Sequence, residues 1–330
     1  MRFFICLVTA AIAGAQSPPQ MVNLNVGLEN DVEYQEDVVP SQYATIPGVT
    51  PSSTPPNNFL TVTLIGDITS VNGQPAKGTY IGRTRVLGAS PNPPKGLAIA
   101  DVTRTALREH TFEIQQSDGT PVGTIMSIGF SGGPPPPGQP ATDRGNWVIV
   151  GGTGAYFGAR GTVGGTGTGG RAASMSEDPS NRRINGGMTA AFNLHIIPAS
   201  IPRIVSLTNG PAVYHSSDFS LVSSTHPAAP NETVSIYVTG LGPTVPSVDA
   251  GQPFPASPPA VVNSPLTVTV NGENARVLAA VGFSGSTDTY QINFQMPADA
   301  KPLSAGVVPI LVSAAWIPGA PFNIYVQASQ

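Results

Sequence analysis

Trp147-Val148-Ile149-Val150-Gly151-Gly152-Thr153-Gly154-Ala155-Tyr156-Phe157-Gly158-Ala159-Arg160-Gly161-Thr162-Val163 is the stretch whose reading decides the fold. A short apolar run meets a glycine-rich turn, and a second strand-like run follows. Such a turn serves either as a phosphate-cradling loop or as the tight corner of a β-barrel.

The phosphate loop requires a helix that starts directly after the turn, with its N-terminus facing the pyrophosphate. Here Arg160-Gly161-Thr162-Val163-Gly164-Gly165 follows, and further glycines run to Gly170. Each interior glycine weakens a helix by about 1 kcal/mol relative to alanine. The Lys-Ser/Thr pair of a P-loop is also missing. A strand corner needs only the positive φ that glycine permits. In that reading Tyr156 and Phe157 pack, and Arg160 emerges on one face of the next strand.

Working outward, strand patterns surround the corner. Leu60, Val62 and Leu64 alternate with Thr61, Thr63 and Ile65. Further strands are predicted at 78–87, 98–106, 110–116, 121–130, 146–151, 159–165 and 188–197. Asn72-Gly73, Ser117-Asp118-Gly119-Thr120 and Asn185-Gly186 are turn signals between them. The segments 132–140, with four successive prolines, and 164–185 read as surface loops. About eight strands in hairpin succession predict a closed antiparallel barrel, which removes exposed edges. Eight strands leave room for side chains or for one small ligand.

The corner Gly151-Gly152-Thr153-Gly154-Ala155-Tyr156-Phe157-Gly158-Ala159-Arg160-Gly161 closely resembles the signature of dirigent proteins and of allene oxide cyclase-like barrels. Val148–Val150 and the run 78–87, with Gly82-Arg83, also look like strands of that family. The resemblance covers residues 59–198 and is concentrated in the one motif. It implies an eight-stranded barrel with an apolar cavity, often assembled as a trimer. It also implies stereochemical guidance of a coupling or cyclisation, mainly by shape, helped by a few acidic and basic residues.

The segment 197–202, Ile197-Pro198-Ala199-Ser200-Ile201-Pro202, marks a boundary, with 199–203 read as a linker. Beyond it strands are predicted at 204–207, 218–222, 233–239, 266–270, 276–281, 289–295, 307–314 and 323–327. Seven or eight short strands in this length read as an immunoglobulin-like sandwich. Tyr237-Val238-Thr239-Gly240-Leu241-Gly242-Pro243-Thr244, Gly251-Gln252-Pro253 and Tyr290-Gln291-Ile292-Asn293-Phe294-Gln295-Met296-Pro297 look like a C-terminal domain found on many secreted bacterial proteins. The fold class is therefore all-β: an eight-stranded antiparallel calycin-like β-barrel followed by an immunoglobulin-like β-sandwich.

Composition agrees with that reading. Charged residues are 10% of the 330, while glycines number 37 and prolines 35, which suits short strands and turns better than long helices. The net charge of −4 comes from interspersed residues, with no basic stripe for nucleic acid. At the N-terminus Met1-Arg2, the apolar run 3–12 and Ala13-Gly14-Ala15 have the layout of a secretory signal over residues 1–15. The apolar run is too short to span a bilayer. Cys6, the single cysteine, lies inside that signal, so disulfides and thiol chemistry are not expected. Residues 16–58, with five acids between Glu29 and Asp37 and several prolines, read as an extended, solvated arm.

No metal-ligand spacing links His110, His195, His215 and His226, and no Gly-x-Ser-x-Gly elbow occurs. Neither a metal nor a cofactor is expected. The polar residues inside barrel strand patterns are the candidates. Asp101, Glu113, Arg83 and Arg160 are catalytic candidates, because a carboxylate in an apolar lumen has a raised pKa and an arginine can hold a ligand carboxylate. Tyr80, Arg85, Arg104, Tyr156 and Phe157 are candidates for ligand contact. The expected function is a secreted barrel that binds a small apolar ligand or acts as an oligomeric scaffold, with the sandwich as an adhesion or display module. The alternative is a dirigent- or cyclase-like catalyst.

Overall fold

The structure is a computed structural model that describes residues 20–35, 61–87, 105–131, 144–167, 171–299 and 306–327. Its first part contains β1 (Val22–Gln35), β2 (Thr61–Val71), β3 (Gln74–Leu87), β4 (Thr105–Gln116), β5 (Pro121–Ser131), β6 (Arg144–Gly152), β7 (Arg160–Gly167), β8 (Arg171–Ser174) and β9 (Met188–Ile197). Eight of these close a barrel in the order β1-β2-β3-β4-β5-β6-β7-β9, and β9 pairs back onto β1. All neighbours are antiparallel. β8 lies outside this ring, parallel to the end of β1.

The glycine-rich stretch is a strand corner. β6 ends at Gly152, a single 3-10 turn spans Gly154–Tyr156, and β7 starts at Arg160. Gly154 has φ +59, and a Cβ there would meet the Val122 carbonyl oxygen at 2.3 Å. Only glycine allows both the left-handed backbone and the close approach to β5.

Three expectations change. The segment read as an acidic arm supplies β1, the strand that closes the barrel. Val22, Leu24, Val26 and Leu28 alternate with exposed or half-buried positions, which is a half-buried strand whose acid density hides the pattern. β4 is one continuous strand from Thr105, so residues 105 and 106 belong to it. The loop expected at 164–185 instead carries the end of β7, β8, a 3-10 turn (Pro179–Asn181) and a helical turn (Arg182–Asn185). The signal (1–15), the rest of the arm (36–58), residues 98–104 and the proline loop (132–140) lie outside the described residues.

β1 contains a bulge that reverses its faces. Its register against β2 shifts between Glu29 and Val32, with Asn30 at φ +53. Before the bulge Leu28 pairs with inward Ile68; after it Glu33 pairs with inward Leu64, while Val32 pairs with Ile65. Asp31 and Glu33 therefore turn toward the lumen. Val32 and Tyr34 turn outward and are buried there, beside β8. Asparagine tolerates the left-handed conformation, and Asn30 Nδ2 donates to Asp67 Oδ2 at 3.0 Å. Burial works against ionised Asp67, but hydrogen bonds from Arg183, Arg182 and Asn30 outweigh it and hold its pKa below the ordinary value. This cluster fastens the Arg182–Asn185 turn over the bulge.

Toward the corner end the lumen is filled. Leu24, Ile114, Ile125, Ile149, Leu194 and Ile196 are all inaccessible to solvent. Each such side chain contributes about 1.5–3 kcal/mol relative to leaving it in water.

The second part packs its own core around Val234, Ile236, Ile292, Phe294, Val308 and Ile310. Its main strands are Thr233–Thr239, Leu266–Val270, Glu273–Gly282, Thr289–Gln295 and Val307–Ala314. They form one antiparallel network in which Glu273–Gly282 joins Thr289–Gln295 on one side and Leu266–Val270 on the other. Asp218–Val222, expected as a strand, is a turn with one bridge from Leu221 to Tyr214; the strand here is Val213–His215. The Asx turn closed by Asp218 Oδ1 on the Ser220 N–H competes with strand pairing there.

This second part caps the corner end of the barrel. Ala315, Trp316 and Ile317 join the barrel's apolar cluster. Tyr156 OH donates to the Ala315 carbonyl at 3.4 Å. Asn263 Nδ2 donates to the Pro121 carbonyl at 2.6 Å, and Gln116 Nε2 donates to the Asn263 carbonyl at 2.8 Å.

Candidate functional site

Sealed at the corner end, the barrel has its polar lining near the opposite mouth. On β4 the buried Phe112 and Ile114 fix the inward face, so His110 and Arg108 share it. Thr84 of β3 pairs with Arg108, and Ser127 of β5 pairs with His110. From β1 the bulge adds Asp31 and Glu33. Trp147 of β6 and Phe192 of β9 complete the wall.

The rings form one cluster. His110 meets Trp147 edge-on at 4.5 Å and Phe192 edge-on at 5.4 Å between centroids. Tyr80 lies 4.9 Å from Phe192 and 5.3 Å from Phe112. Two glycines make room for them. A Cβ at Gly145 would fall 2.2 Å from the Trp147 ring, and one at Gly165 would fall 2.9 Å from the Phe192 ring.

Tyr80 OH and His110 Nδ1 are 2.8 Å apart. Burial pushes the Tyr80 pKa up, so the phenol keeps its proton and donates it to Nδ1. Burial, with the nearby Arg108 charge, pushes His110 well below its ordinary value. The imidazole is therefore neutral, with its N–H on Nε2. That nitrogen has no partner among the described residues, and neither do Asp31 Oδ1, Ser127 Oγ and Trp147 Nε1. Arg108 donates from Nε to Thr84 Oγ1 at 2.8 Å, and its guanidinium carbon lies 5.9 Å from the Trp147 ring centroid. Burial raises the Asp31 pKa to about 6 despite Arg108. Gly66 leaves space for this carboxylate, since a Cβ there would sit 3.3 Å from Asp31 Cβ.

The mouth thus combines a carboxyl that titrates just below neutrality, a half-buried guanidinium, three N–H or O–H groups and an aromatic wall. Such a set can accept or donate hydrogen bonds and move a proton at Asp31.

Most of the residues singled out from sequence lie elsewhere. Arg83, Arg85 and Glu113 are exposed on the outer face of the barrel. Tyr80 points inward, and alternation sends residues two and four positions beyond it inward as well, so 83 and 85 must face out. Arg83 and Arg85 share an outer hollow of about 410 Å³ with Thr61, Thr63 and Glu109. Asp101 and Arg104 lie outside the described residues. Arg160 is exposed and donates from Nη1 to the carbonyls of Val150 and Ala159 at 3.2 and 3.1 Å, so it braces the corner. Tyr156 is buried against the second part, whereas Phe157, expected to pack, is 78% exposed. Among the described candidates, only Tyr80 belongs to the lumen cluster with His110.

Of the other histidines, His195 is half-buried on the outer side of β9. His215 and His226 stack at 3.9 Å in the second part, where His215 Nδ1 meets Glu232 Oε1 at 2.5 Å. Among the described residues no group of three or more His, Cys, Asp or Glu is placed to hold a metal ion. Nor does any described helix have the length and apolarity to cross a membrane.

No protein-family model matches the chain, and no curated protein matches it. Among solved structures it is similar to a pterocarpan synthase dirigent protein, at 14% identity and a TM-score of 0.29. That match covers 60% of this chain and 99% of the other.

Proposed function

We propose that the protein is a secreted binding barrel whose mouth takes a small, largely apolar, ring-bearing ligand carrying a hydroxyl or carboxylate group. One observation carries this reading. Asp31 Oδ1, His110 Nε2, Ser127 Oγ and Trp147 Nε1 are buried in one aromatic lumen and have no partner among the described residues. An unpaired buried polar group costs about 1–3 kcal/mol, and a ligand that pairs with several recovers that cost. Secretion is supported by the signal-like residues 1–15. The second part is read as an immunoglobulin-like display module, supported by its short antiparallel strands. Self-association of the barrel is supported by the exposed apolar strip Met126, Phe130, Val148 and Val150 on β5 and β6.

A catalytic reading has its own support in Asp31. A carboxyl with a pKa of about 6 beside Arg108 suits proton transfer to or from a bound phenol near neutral pH. In that reading Asp31 is the proton-transfer group, Arg108 holds an anionic substituent, and the walls dictate which face reacts.

Titration with 4-hydroxybenzoate and with 4-hydroxybenzyl alcohol, followed by tryptophan fluorescence, tests the binding claim. A saturable response that disappears in Trp147→Phe and weakens in Arg108→Ala is expected. A response unchanged in both variants would place the ligand elsewhere. If Asp31→Asn binds but turns nothing over, while the wild type does, the catalytic reading gains.

A further inference from the structure

Within the mouth of the barrel, Tyr80 and His110 form a pair that selects the kind of oxygen a ligand can bring. Tyr80 of β3 and His110 of β4 are both closed to solvent, at 0% and 1% exposure. Gly82 brings them together. It pairs with His110 in register, and a Cβ there would fall 2.7 Å from the Tyr80 hydroxyl oxygen. The missing side chain lets the phenol lie along its own strand and reach His110 Nδ1 at 2.8 Å. Among the described residues neither side chain makes another hydrogen bond.

That isolation selects the tautomer. If Nδ1 carried the proton and donated to the phenol oxygen, the Tyr80 O–H would have no acceptor and Nε2 would be a bare lone pair. Two buried groups would then be unpaired. With Tyr80 donating to Nδ1, only one is, the Nε2–H. Burial favours the same arrangement, since it pushes the Tyr80 pKa up and the His110 pKa down. Tyr80 therefore makes His110 a donor at Nε2.

The neighbours have the same polarity. Trp147 meets His110 edge-on at 4.5 Å between centroids, and its Nε1–H can only donate. Ser127 pairs with His110 in register, and its hydroxyl adapts to either role. All three polar atoms are buried and have no partner among the described residues. A ligand hydroxyl would bring one more proton to this patch, whereas a carbonyl oxygen brings two lone pairs and no proton. We propose, resting on the binding role given to the mouth, that the ligand's buried group is a carbonyl oxygen received by His110 Nε2–H and Trp147 Nε1–H. Tyr80 is the positioning residue that sets this preference.

The test uses the full chain and a matched pair of phenols, 4-hydroxyacetophenone and 4-(1-hydroxyethyl)phenol, compared by isothermal titration. The ketone should bind about tenfold more tightly than the alcohol, the scale of one recovered hydrogen bond. Long-range proton–nitrogen NMR of the wild type, with His110→Gln to assign the ring, should show a protonated Nε2 and a bare Nδ1. Tyr80→Phe frees the tautomer and should erase most of the ketone preference. A loss of packing alone would weaken both compounds alike and keep their ratio. Should Tyr80→Phe fail to fold, the wild-type spectrum and affinity ratio decide alone. The inference is overturned if Nδ1 carries the proton, if the alcohol binds as tightly as the ketone, or if folded Tyr80→Phe keeps the wild-type ratio. If neither compound binds, the binding role of the mouth falls, and this inference with it.

Discussion

Asn30 and Asp67 are joined across β1 and β2 by a 3.0 Å hydrogen bond on the outer side of the bulge that turns Asp31 inward. The two sides of that bulge depend on each other. Asn30 must hold φ +53 for Asp31 and Glu33 to face the lumen. Replacing Asn30 by glycine removes only the hydrogen bond and should cost about 1 kcal/mol. Replacing it by alanine also forces a Cβ residue into the left-handed region and should cost about 1–2 kcal/mol more. Urea denaturation of the two variants measures the difference. Equal stabilities would mean the bulge is not held by this residue.

Asp31 gives the protein an unusual pH dependence. Its folded pKa of about 6 lies above the ordinary 3.8, so the folded state holds the proton more tightly than the unfolded chain. The contribution is fully present below pH 4 and is lost as pH rises through 6. Its ceiling is about 3 kcal/mol, from the size of the shift. Asp31→Asn should flatten stability between pH 4 and 7 and make the variant more stable than the wild type at neutrality. A wild-type curve that rises over the same window, with Asp31→Asn parallel to it, would refute the assignment.

Gly145 has φ +93 and no room for a methyl group beside Trp147. Gly145→Ala should displace the indole, shift its emission to longer wavelength, and cost about 1–3 kcal/mol. Gly119→Ala is a useful comparison, because its Cβ would meet nothing within 4 Å although its φ is also positive. Gly119→Ala should destabilise through the backbone alone and leave the emission unchanged.

The second part seals the barrel through Trp316, Ala315 and Asn263. The double variant Asn263→Ala with Trp316→Ala should remove the Pro121 hydrogen bond and the indole seated on the barrel core. Calorimetry is then expected to separate one cooperative transition into two. An unchanged single transition would mean these contacts do not couple the parts.

Much of the barrel was legible in sequence, and the reasons are local. Corner glycines and period-two alternation marked β2, β3, β5, β6, β7 and β9 near their observed positions. The mouth was harder to read. On β4, Phe112 and Ile114 declare the inward face, and two-residue steps back reach His110 and Arg108, so those two were available to the same rule. Glu113 and Arg83 failed that rule. Asp31 and Glu33 could not be found by alternation, because the apolar residues stay on even positions through Tyr34 while the bulge exchanges the faces. Asn30 in the left-handed region is a three-dimensional fact with only a weak sequence signal. Arg160 belongs to the most recognisable motif and serves its backbone.

The claim that the mouth is a binding site is tested most directly by native mass spectrometry of the full chain purified from its own host, beside Arg108→Ala prepared the same way. The wild type is predicted to carry a small-molecule mass that Arg108→Ala lacks, at equal thermal stability. The same bare mass for both proteins, together with no tryptophan response to either phenol, would contradict it.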